Sequence, residues 1–334
     1  MKIAFILLCH KNSDQINKLL KQLKKFDCEI FLHCDTKNKD IRKNIMKSNN
    51  VHILSEQDSY DIKWGGTEMI FATLSLLKNV KKYSENNNIK FDYIWLLSGQ
   101  DYIIQKPQFI IKKLQSNPQV NYLNITPSNT KKYYEYLKRC EIKYSNPGWI
   151  TKNTFIIKAI KYLYLVVTGG RFHTFKIFKR KKTFDGEFYF GSQWWTITDD
   201  CADYILKFCE EHEEYIEFFE NTIVPDECFF QTIIMNSCFK DSVKNNLTFV
   251  NWGNNNRSPD LITSSKLPEI IKKNNEYFFA RKFDTSVESN ILDNVDELLE
   301  KIHIKRKNKI LSYMKKNIVN ALYVFLLNIY FLYK

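Results

Sequence analysis

Glycine is scarce in this chain, with nine residues among 334. No G-x-G-x-x-G turn follows the first apolar segment and no G-x-x-x-x-G-K-[ST] sequence occurs, which argues against a dinucleotide dehydrogenase and a P-loop NTPase. A G-x-S-x-G segment is also missing, so an α/β-hydrolase is not expected. The sequence has neither an H-E-x-x-H pair nor a C-x-x-C pair, and nothing in it is typical of a zinc peptidase or a nucleic-acid-binding module.

The eight cysteines have no metal-site spacing, and most fall in apolar segments. They predict reduced, buried thiols in a cytosolic protein rather than a disulfide framework. The apolar residues 3–9 are too few for a signal-peptide core followed by a cleavage site, and we interpret them as a first buried strand.

The chain carries a formal net charge of +13, and part of that excess lies near its end. Residues 305–309 and 315–316 are mostly basic, and they precede an apolar run over residues 318–333. This run is slightly short for a bilayer span, which takes roughly 20 residues. It predicts either attachment to an anionic cytoplasmic leaflet or a terminal helix packed on protein or in a dimer.

The first 35 residues have the pattern of a βαβ unit. After the strand at 3–9, a helix begins at Ser13 with apolar positions at i, i+3, i+4 and i+7, and a second strand follows at 29–33. This pattern predicts an α/β fold with a central, mostly parallel sheet flanked by helices. His10, Asp35 and Asp101 each follow a predicted strand, so we expect a ligand site at the carboxyl ends of the strands.

Residues 1–290 are expected to form one domain. Within it, residues 126–183 are rich in Lys, Arg and Tyr without a clear period. We interpret them as a variable insertion over the expected ligand site, on the side where a second substrate, the acceptor, would bind. Residues 291–334 are a basic and apolar tail.

The segment 224–233 holds two adjacent acids ahead of an apolar stretch. Pro225 predicts the start of a helix, which would place Asp226 and Glu227 in the first turn, where the helix dipole favours negative charge. The acids either cap this helix or hold a catalytic base on a rigid element.

No two aspartates are spaced Asp-x-Asp, so the usual acidic pair that holds a metal on a sugar nucleotide is missing. A bound diphosphate would then need protein cations, and Arg257, Arg281 and Lys282 are the candidates. The pair Arg281-Lys282 is equally well explained as two solvated cations at the end of a helix or a strand.

Seven blocks occur in a fixed order along residues 1–290. They are His33-Cys34-Asp35, Trp64-Gly65-Gly66, the stretch 97–102 (LSGQDY), Gly191-Ser192-Gln193-Trp194, the stretch 225–230 (PDECFF), the stretch 251–259 from Asn251-Trp252 to Ser258-Pro259, and Ala280-Arg281-Lys282-Phe283. This set resembles the core-2/I-branching enzyme family, which includes β-1,6-N-acetylglucosaminyltransferases and peptide O-xylosyltransferases. The blocks at 227–232 and 252–259 are closer to the xylosyltransferase branch.

The resemblance implies a GT-A-like fold and an inverting transfer from a UDP-sugar, with no metal and no other cofactor. It assigns the catalytic base to Glu227. The donor-binding residues that it implies are Leu8, Asp35, Ile62, Lys63, Trp64, Gln193, Trp194, Arg257, Ser258, Arg281 and Lys282. Uridine and ribose are expected at the first five, the sugar at Gln193 and Trp194, and the diphosphate at Arg281 and Lys282, with Ser258 as a further donor contact.

The resemblance leaves the donor sugar open between N-acetylglucosamine and xylose, because the xylosyltransferase pattern has an acid where Gln193 stands. The anchor and extended disulfide framework of the animal Golgi enzymes are missing, which favours a bacterial-type enzyme in the cytoplasm, at the inner membrane face. The expected acceptor is a hydroxyl of a glycan, a lipid-linked glycan or a protein, in surface polysaccharide synthesis, and no nucleic-acid partner is expected. The alternatives are a sugar-nucleotide-binding, membrane-associated protein without turnover and a basic scaffold for anionic lipid or nucleic acid.

Overall fold

The computed structural model describes residues 1–141, 181–220, 222–253 and 258–305, together with the isolated positions 308 and 317. The strands in these ranges are β1 (Ile3–Cys9), β2 (Cys28–Cys34), β3 (Val51–Ile53), β4 (Tyr93–Ser98), β5 (Asp101–Ile103), β6 (Asn121–Ile125), β7 (Gly191–Thr198), β8 (Val243–Lys244), β9 (Thr248–Val250) and β10 (Phe279–Arg281). The helices are α1 (Ser13–Leu23), α2 (Lys39–Asn44), α3 (Glu68–Asn87), α4 (Pro107–Gln115), α5 (Lys131–Glu141), α6 (Asp199–Glu211), α7 (Glu213–Glu220), α8 (Phe229–Met235), α9 (Leu267–Lys272) and α10 (291–305).

Seven strands form the central sheet in the order β3-β2-β1-β4-β7-β6-β8. β1 pairs parallel with both β2 and β4, and β2 pairs parallel with β3. β7 is inserted between β4 and β6 and runs antiparallel to both, while β6 and β8 are parallel. The mixed α/β fold with a mostly parallel central sheet is therefore confirmed, and it agrees with a GT-A-like fold.

Both faces of the central sheet are covered, as its continuous apolar strands require. Alternate residues of β1 belong to two hydrophobic clusters: Ile3, Phe5 and Leu7 to one, Ala4 and Ile6 to the other. The first cluster is built with α1, α4, α9 and α10, and the second with α3, α6, α7 and α8. The two layers hold β1 and its neighbours rigidly, which fixes the positions of their carboxyl ends.

A second, three-stranded sheet lies beside the first in the order β5-β10-β9. β10 is antiparallel to β5 and parallel to β9, and Arg281 is opposite both Asp101 and Val250. This sheet begins where β4 ends, because only the turn at Gly99 and Gln100 separates β4 from β5.

A helix starts at Pro225 as predicted, with Asp226 and Glu227 in its first turn, but it is a single 3-10 turn over Pro225–Glu227. Cys228 leaves the helical range at φ −136°, and α8 begins only at Phe229. Val224, just before the turn, lies in the left-handed region at φ 51°, and its amide donates to the carbonyl of Gly65 at 2.9 Å.

The cap of α6 is Thr198, whose side chain accepts from the Cys201 amide, and Asp199 and Asp200 lie in its first turn. The expectation that the cysteines are buried needs one correction. Cys238 is exposed, whereas the other seven cysteines are buried, and all eight thiols are free.

The start of the predicted tail is part of the folded core. Ile291, Leu292 and Val295 on α10 are fully buried in the cluster that covers one face of the sheet. Among the described residues, no helix has both the length and the apolar character to cross a membrane. The apolar run 318–333, most of the insertion 126–183 and Arg257 lie outside the described residues.

Candidate active site

The 3-10 turn Pro225–Glu227 lies beside the glycine turn that precedes α3, and it is here called the catalytic turn after the role predicted for Glu227. Gly65 has φ +74°, and a Cβ there would meet Cγ2 of Val224 at 3.3 Å. The catalytic turn also packs against β7 and α3. A strained valine is held in place by this contact, and the position of the two following acids depends on it.

Neither acid caps a helix, because no side-chain bond is made at the start of the turn or of α8. Glu227 is partly exposed, and its Oε2 accepts from Nη1 of Arg139 on α5 at 2.8 Å. Asp226 is buried, and burial followed by the charge of Glu227 raises the pKa of Asp226 to about 7. The two adjacent acids thus have different environments, with the accessible carboxylate on Glu227.

Arg281 is a buried cation with incomplete hydrogen bonding. Its Nε lies 3.5 Å from Oδ1 of Asp101, and its Nε and Nη1 have no hydrogen-bond partner. The guanidinium lies over the ring of Trp194 on β7, with its carbon 3.8 Å from the ring centroid. Burial lowers the pKa of Arg281 and raises that of Asp101, while the attraction between them opposes both shifts. Buried donors without partners are costly, and an anionic ligand would satisfy them.

Lys282 adds a second cation at the same edge. Burial, then Arg281 and Lys11, lower the pKa of its ammonium group. Lys11 follows β1 and forms an ion pair with Asp284 at 2.5 Å. His10 is exposed as a whole residue, but the protein around its imidazole ring displaces water from the ring. This desolvation is the main cause that lowers the pKa of His10, and the positive charges of Lys11, Lys282 and Arg281 lower it further. This cluster of positive groups disfavours further protonation and attracts anions.

The residues expected at the nucleoside lie at the carboxyl ends of β1 and β2. Leu8 is buried opposite Ser98 and His33. Asp35 is buried directly after β2, its Oδ1 accepts from the Lys37 amide at 2.9 Å, and burial raises its pKa.

The loop that carries Ile62 lies close to Asp35. Nζ of Lys37 donates to the Ile62 carbonyl and pairs with Asp61 at 2.7 Å. Lys63 pairs with Glu68 at 3.5 Å, and Trp64 is 65% exposed. An exposed indole at this position is an open platform for a planar ring.

β7 connects the cations with the catalytic turn. Trp194 on this strand lies under Arg281, and the carbonyl of Ser192 accepts from Nε2 of Gln231 on α8 at 2.7 Å. Gln193 is buried, and its Nε2 has no partner. The close pairing of β7 with β6 requires Gly191, since a Cβ there would lie 1.7 Å from the Asn124 carbonyl oxygen.

The structure brings most of the predicted donor residues to one edge, but not all of them. Ser258 is exposed beside a β-bridge between Trp252 and Pro259, without a described contact to Arg281 or Lys282. Arg257 lies outside the described residues. Within the described part of the chain, no group of three His, Cys, Asp or Glu side chains is placed to hold a metal ion.

The sequence did not indicate a role for Arg139 at the site, nor that Asp101 would face Arg281. Arg139 lies in the segment interpreted as a variable insertion, 88 residues before Glu227. The only local signal is its spacing of three from Tyr136, which puts the two on one helix face. Nothing in the sequence indicates which distant acid faces it.

Comparison with known proteins tests the family resemblance. The family model of the core-2/I-branching enzymes matches residues 3–275. No curated protein matches the chain. Among solved structures, 4-diphosphocytidyl-2C-methyl-D-erythritol synthase from Anaerococcus prevotii DSM 20548 is similar at 12% identity and a TM-score of 0.31, over 64% of this chain and 77% of that one, which is too distant to carry an argument. The match over residues 3–275, together with the sheet and its carboxyl-end site, shows that this chain belongs to the core-2/I-branching enzyme family of glycosyltransferases.

Proposed function

We propose that this glycosyltransferase moves N-acetylglucosamine or xylose from a UDP-sugar to a hydroxyl of a glycan, lipid-linked glycan or protein, with inversion and without a metal. The observation that carries the proposal is the buried guanidinium of Arg281 with two unpartnered donors, next to Lys282. A diphosphate supplies the negative charge and the acceptor oxygens that these groups lack.

The nucleoside would lie at the ends of β1 and β2, beside Leu8 and Asp35, with Trp64 open to its ring. From there the diphosphate would extend past His10 to Arg281 and Lys282. Since Trp194 is in contact with Arg281 and β7 packs on the catalytic turn, the transferred sugar would lie between the cations and Glu227.

In the reaction, the acceptor hydroxyl attacks the anomeric carbon from the face opposite UDP. The bond between the anomeric carbon and the β-phosphate oxygen breaks, and UDP leaves. Glu227 takes the hydroxyl proton, a contribution of about 10²–10⁴-fold for general-base catalysis. Negative charge grows on the β-phosphate, and the fixed positive charges of Arg281 and Lys282 stabilise it.

The decisive experiment is Glu227→Gln, assayed for transfer with a panel of UDP-sugars, with Glu217→Gln on the exposed face of α7 as control. Transfer by the variant is expected to fall about 10²–10⁴-fold while UDP binding is kept. Unchanged transfer would remove Glu227 as the base. Donor binding by the unaltered protein without transfer to any acceptor tested would instead indicate a binding protein.

A chelator separates metal-independent from metal-dependent transfer. The rate in excess EDTA should equal the rate without it, because cations on the protein hold the leaving group. Loss of activity in EDTA, restored by a divalent ion, would contradict this part of the proposal.

We place the reaction in the cytoplasm, at the inner membrane face, in the synthesis of a surface polysaccharide. The free state of all eight thiols supports a reducing compartment. Attachment of the tail to an anionic leaflet stays a prediction. It is tested by flotation with anionic vesicles before and after deletion of residues 306–334, and binding that survives the deletion would contradict it.

A further inference from the structure

The proposed base is held by a residue from another element. Nη1 of Arg139 donates to Oε2 of Glu227 at 2.8 Å, and the two side chains are 33% and 26% exposed. This pair is partly exposed, so water competes with it, and a contact of this kind by itself stabilises the fold little. Because Arg139 binds the carboxylate of the proposed base, however, the same contact can affect catalysis.

The ring of Tyr136 restricts the position of the Arg139 side chain. Its guanidinium carbon lies 4.3 Å from the centroid of the Tyr136 ring, one helical turn earlier on α5. Tyr136 is buried, and burial followed by the charge of Glu227 raises its pKa to about 12. A planar guanidinium stacked on a buried ring has little rotational freedom, so its N–H groups keep one direction.

The next residues along each segment also meet. The Sγ atoms of Cys140 and Cys228, both buried, are 3.9 Å apart. α5 therefore touches the catalytic turn at two consecutive residue pairs, 139 with 227 and 140 with 228. This double contact sets the distance between α5 and the catalytic turn.

Glu227 has no other described restraint on its carboxylate orientation from its own segment. It ends a three-residue 3-10 turn, neither that turn nor α8 has a side-chain cap, and Cys228 breaks the helix after it. An unrestrained glutamate populates several rotamers. The restraint on the carboxylate comes instead from α5: Arg139 engages Oε2, and the side chain of Tyr136 also hydrogen-bonds to Glu227.

We propose that Arg139 is a positioning residue for the base: it holds Oε2 of Glu227 so that the carboxylate is turned towards the acceptor hydroxyl. This inference rests on the proposed role of Glu227. Tyr136 supports the guanidinium, and α5, which lies within the segment 126–183 interpreted as the acceptor-side insertion, thereby sets the geometry of proton transfer.

The first test compares Arg139→Ala and Arg139→Lys with the unaltered enzyme. A misplacement of about 1 Å at a reacting group costs on the order of 10²-fold in rate. We expect kcat of the alanine variant to fall by about that factor, while the KM for the donor and the dissociation constant for UDP stay within about twofold. Lysine keeps the charge but loses the planar fork, so its kcat should lie between the two.

Two further readouts distinguish positioning from a merely structural role. Guanidinium ion at millimolar concentration should raise kcat of Arg139→Ala and leave Glu227→Gln unchanged. In a double-mutant cycle, Arg139→Ala should cost no further activity once residue 227 is Gln, because the carboxylate that it positions is already gone. Lys131→Ala, which removes a fully exposed cation from the same helix, is the control and should keep full activity.

The outcomes separate the two proposals. If Glu227→Gln loses transfer and Arg139→Ala keeps the kcat of the unaltered enzyme, the base assignment stands and the positioning role is overturned. Equal losses from Arg139→Ala in both backgrounds, or a fall in melting temperature that accounts for the loss, also overturn it. Full transfer by Glu227→Gln overturns both.

Discussion

The guanidinium carbon of Arg281 lies 3.8 Å from the ring centroid of Trp194, and Nε of Arg281 lies 3.5 Å from Oδ1 of Asp101. The cation thus contacts a π system and an acid, while its buried Nε and Nη1 atoms have no hydrogen-bond partner. The relationship ties β7 of the large sheet to β10 of the small sheet. Several measurable consequences follow from it and from the catalytic turn.

Replacing Trp194 by Ala should weaken UDP binding. A cation–π contact contributes about 0.5–2 kcal/mol, which corresponds to roughly 2- to 30-fold in the dissociation constant. Trp194→Phe keeps a smaller ring under Arg281 and should bind UDP with intermediate strength. Isothermal titration calorimetry with UDP measures both. Equal affinity of the alanine variant and the unaltered protein would show that the stacking does not orient Arg281.

Asp101→Asn should destabilise the protein strongly. Asp101 is 1% exposed and Arg281 is 7% exposed, so the substitution leaves a buried cation without its counter-charge. Breaking a buried ion pair in this way costs roughly 3–5 kcal/mol. Urea unfolding gives the difference in the free energy of unfolding.

The matched control for Asp101 is Asp284→Asn, whose partner Lys11 has a 42% exposed side chain. An exposed partner is stabilised by water when the acid is removed, so the expected cost is about 1 kcal/mol or less. Similar losses in the two variants would contradict the buried character of the Asp101–Arg281 pair.

The stability of the protein should depend on pH through Asp226. Its folded-state pKa is raised from 3.8 to about 7, so between these values the folded state keeps a proton that the unfolded state has released. Stability therefore falls as the pH rises through this window, by up to about 1.4 kcal/mol per pH unit, and levels off above pH 7. Asp226→Asn carries no titrating group and should lose this dependence.

Urea unfolding at pH 5 and pH 8 checks the Asp226 prediction. At each pH, the free energy of unfolding of the unaltered protein is subtracted from that of Asp226→Asn. This difference should be more favourable to the variant at pH 8 than at pH 5. An identical pH dependence in the two proteins would show that Asp226 ionises normally when folded.

Gly65→Ala should affect both stability and catalysis. Gly65 has φ +74°, a left-handed conformation that costs a non-glycine residue about 1–2 kcal/mol, and the added Cβ would press on Val224 at 3.3 Å. Because Val224 begins the catalytic turn, we expect kcat to fall together with the melting temperature.

Gly66→Ala is the matched control for Gly65. Its added Cβ meets mainly the carboxylate of Glu68, the flexible end of a side chain that can move away. The loss of kcat should therefore be smaller than in Gly65→Ala. A larger effect at Gly66 would indicate that the contact between Gly65 and Val224 does not hold the catalytic turn.

Hydrophobic pattern and block order in the sequence were enough to predict the βαβ opening, the mostly parallel sheet and the family, and the first two depend on local periodicity. A ligand site at the carboxyl ends of the strands stays a prediction. The start of a helix at Pro225 was equally well indicated locally, and it is found as a 3-10 turn over Pro225–Glu227. The sequence did not indicate that Cys228, at φ −136°, separates this turn from α8.

Tertiary structure alone decided which charged groups face each other. The insertion of β7 between β4 and β6 carries Trp194 to Arg281, and the packing of α5 carries Arg139 to Glu227 across 88 residues. Residue types limit the kind of partner each side chain accepts, but the burial of two apolar layers around the sheet sets the distances between them. The sequence by itself thus determined the fold class and the chemistry available at the site, whereas the non-local packing of the core determined the geometry in which that chemistry is held.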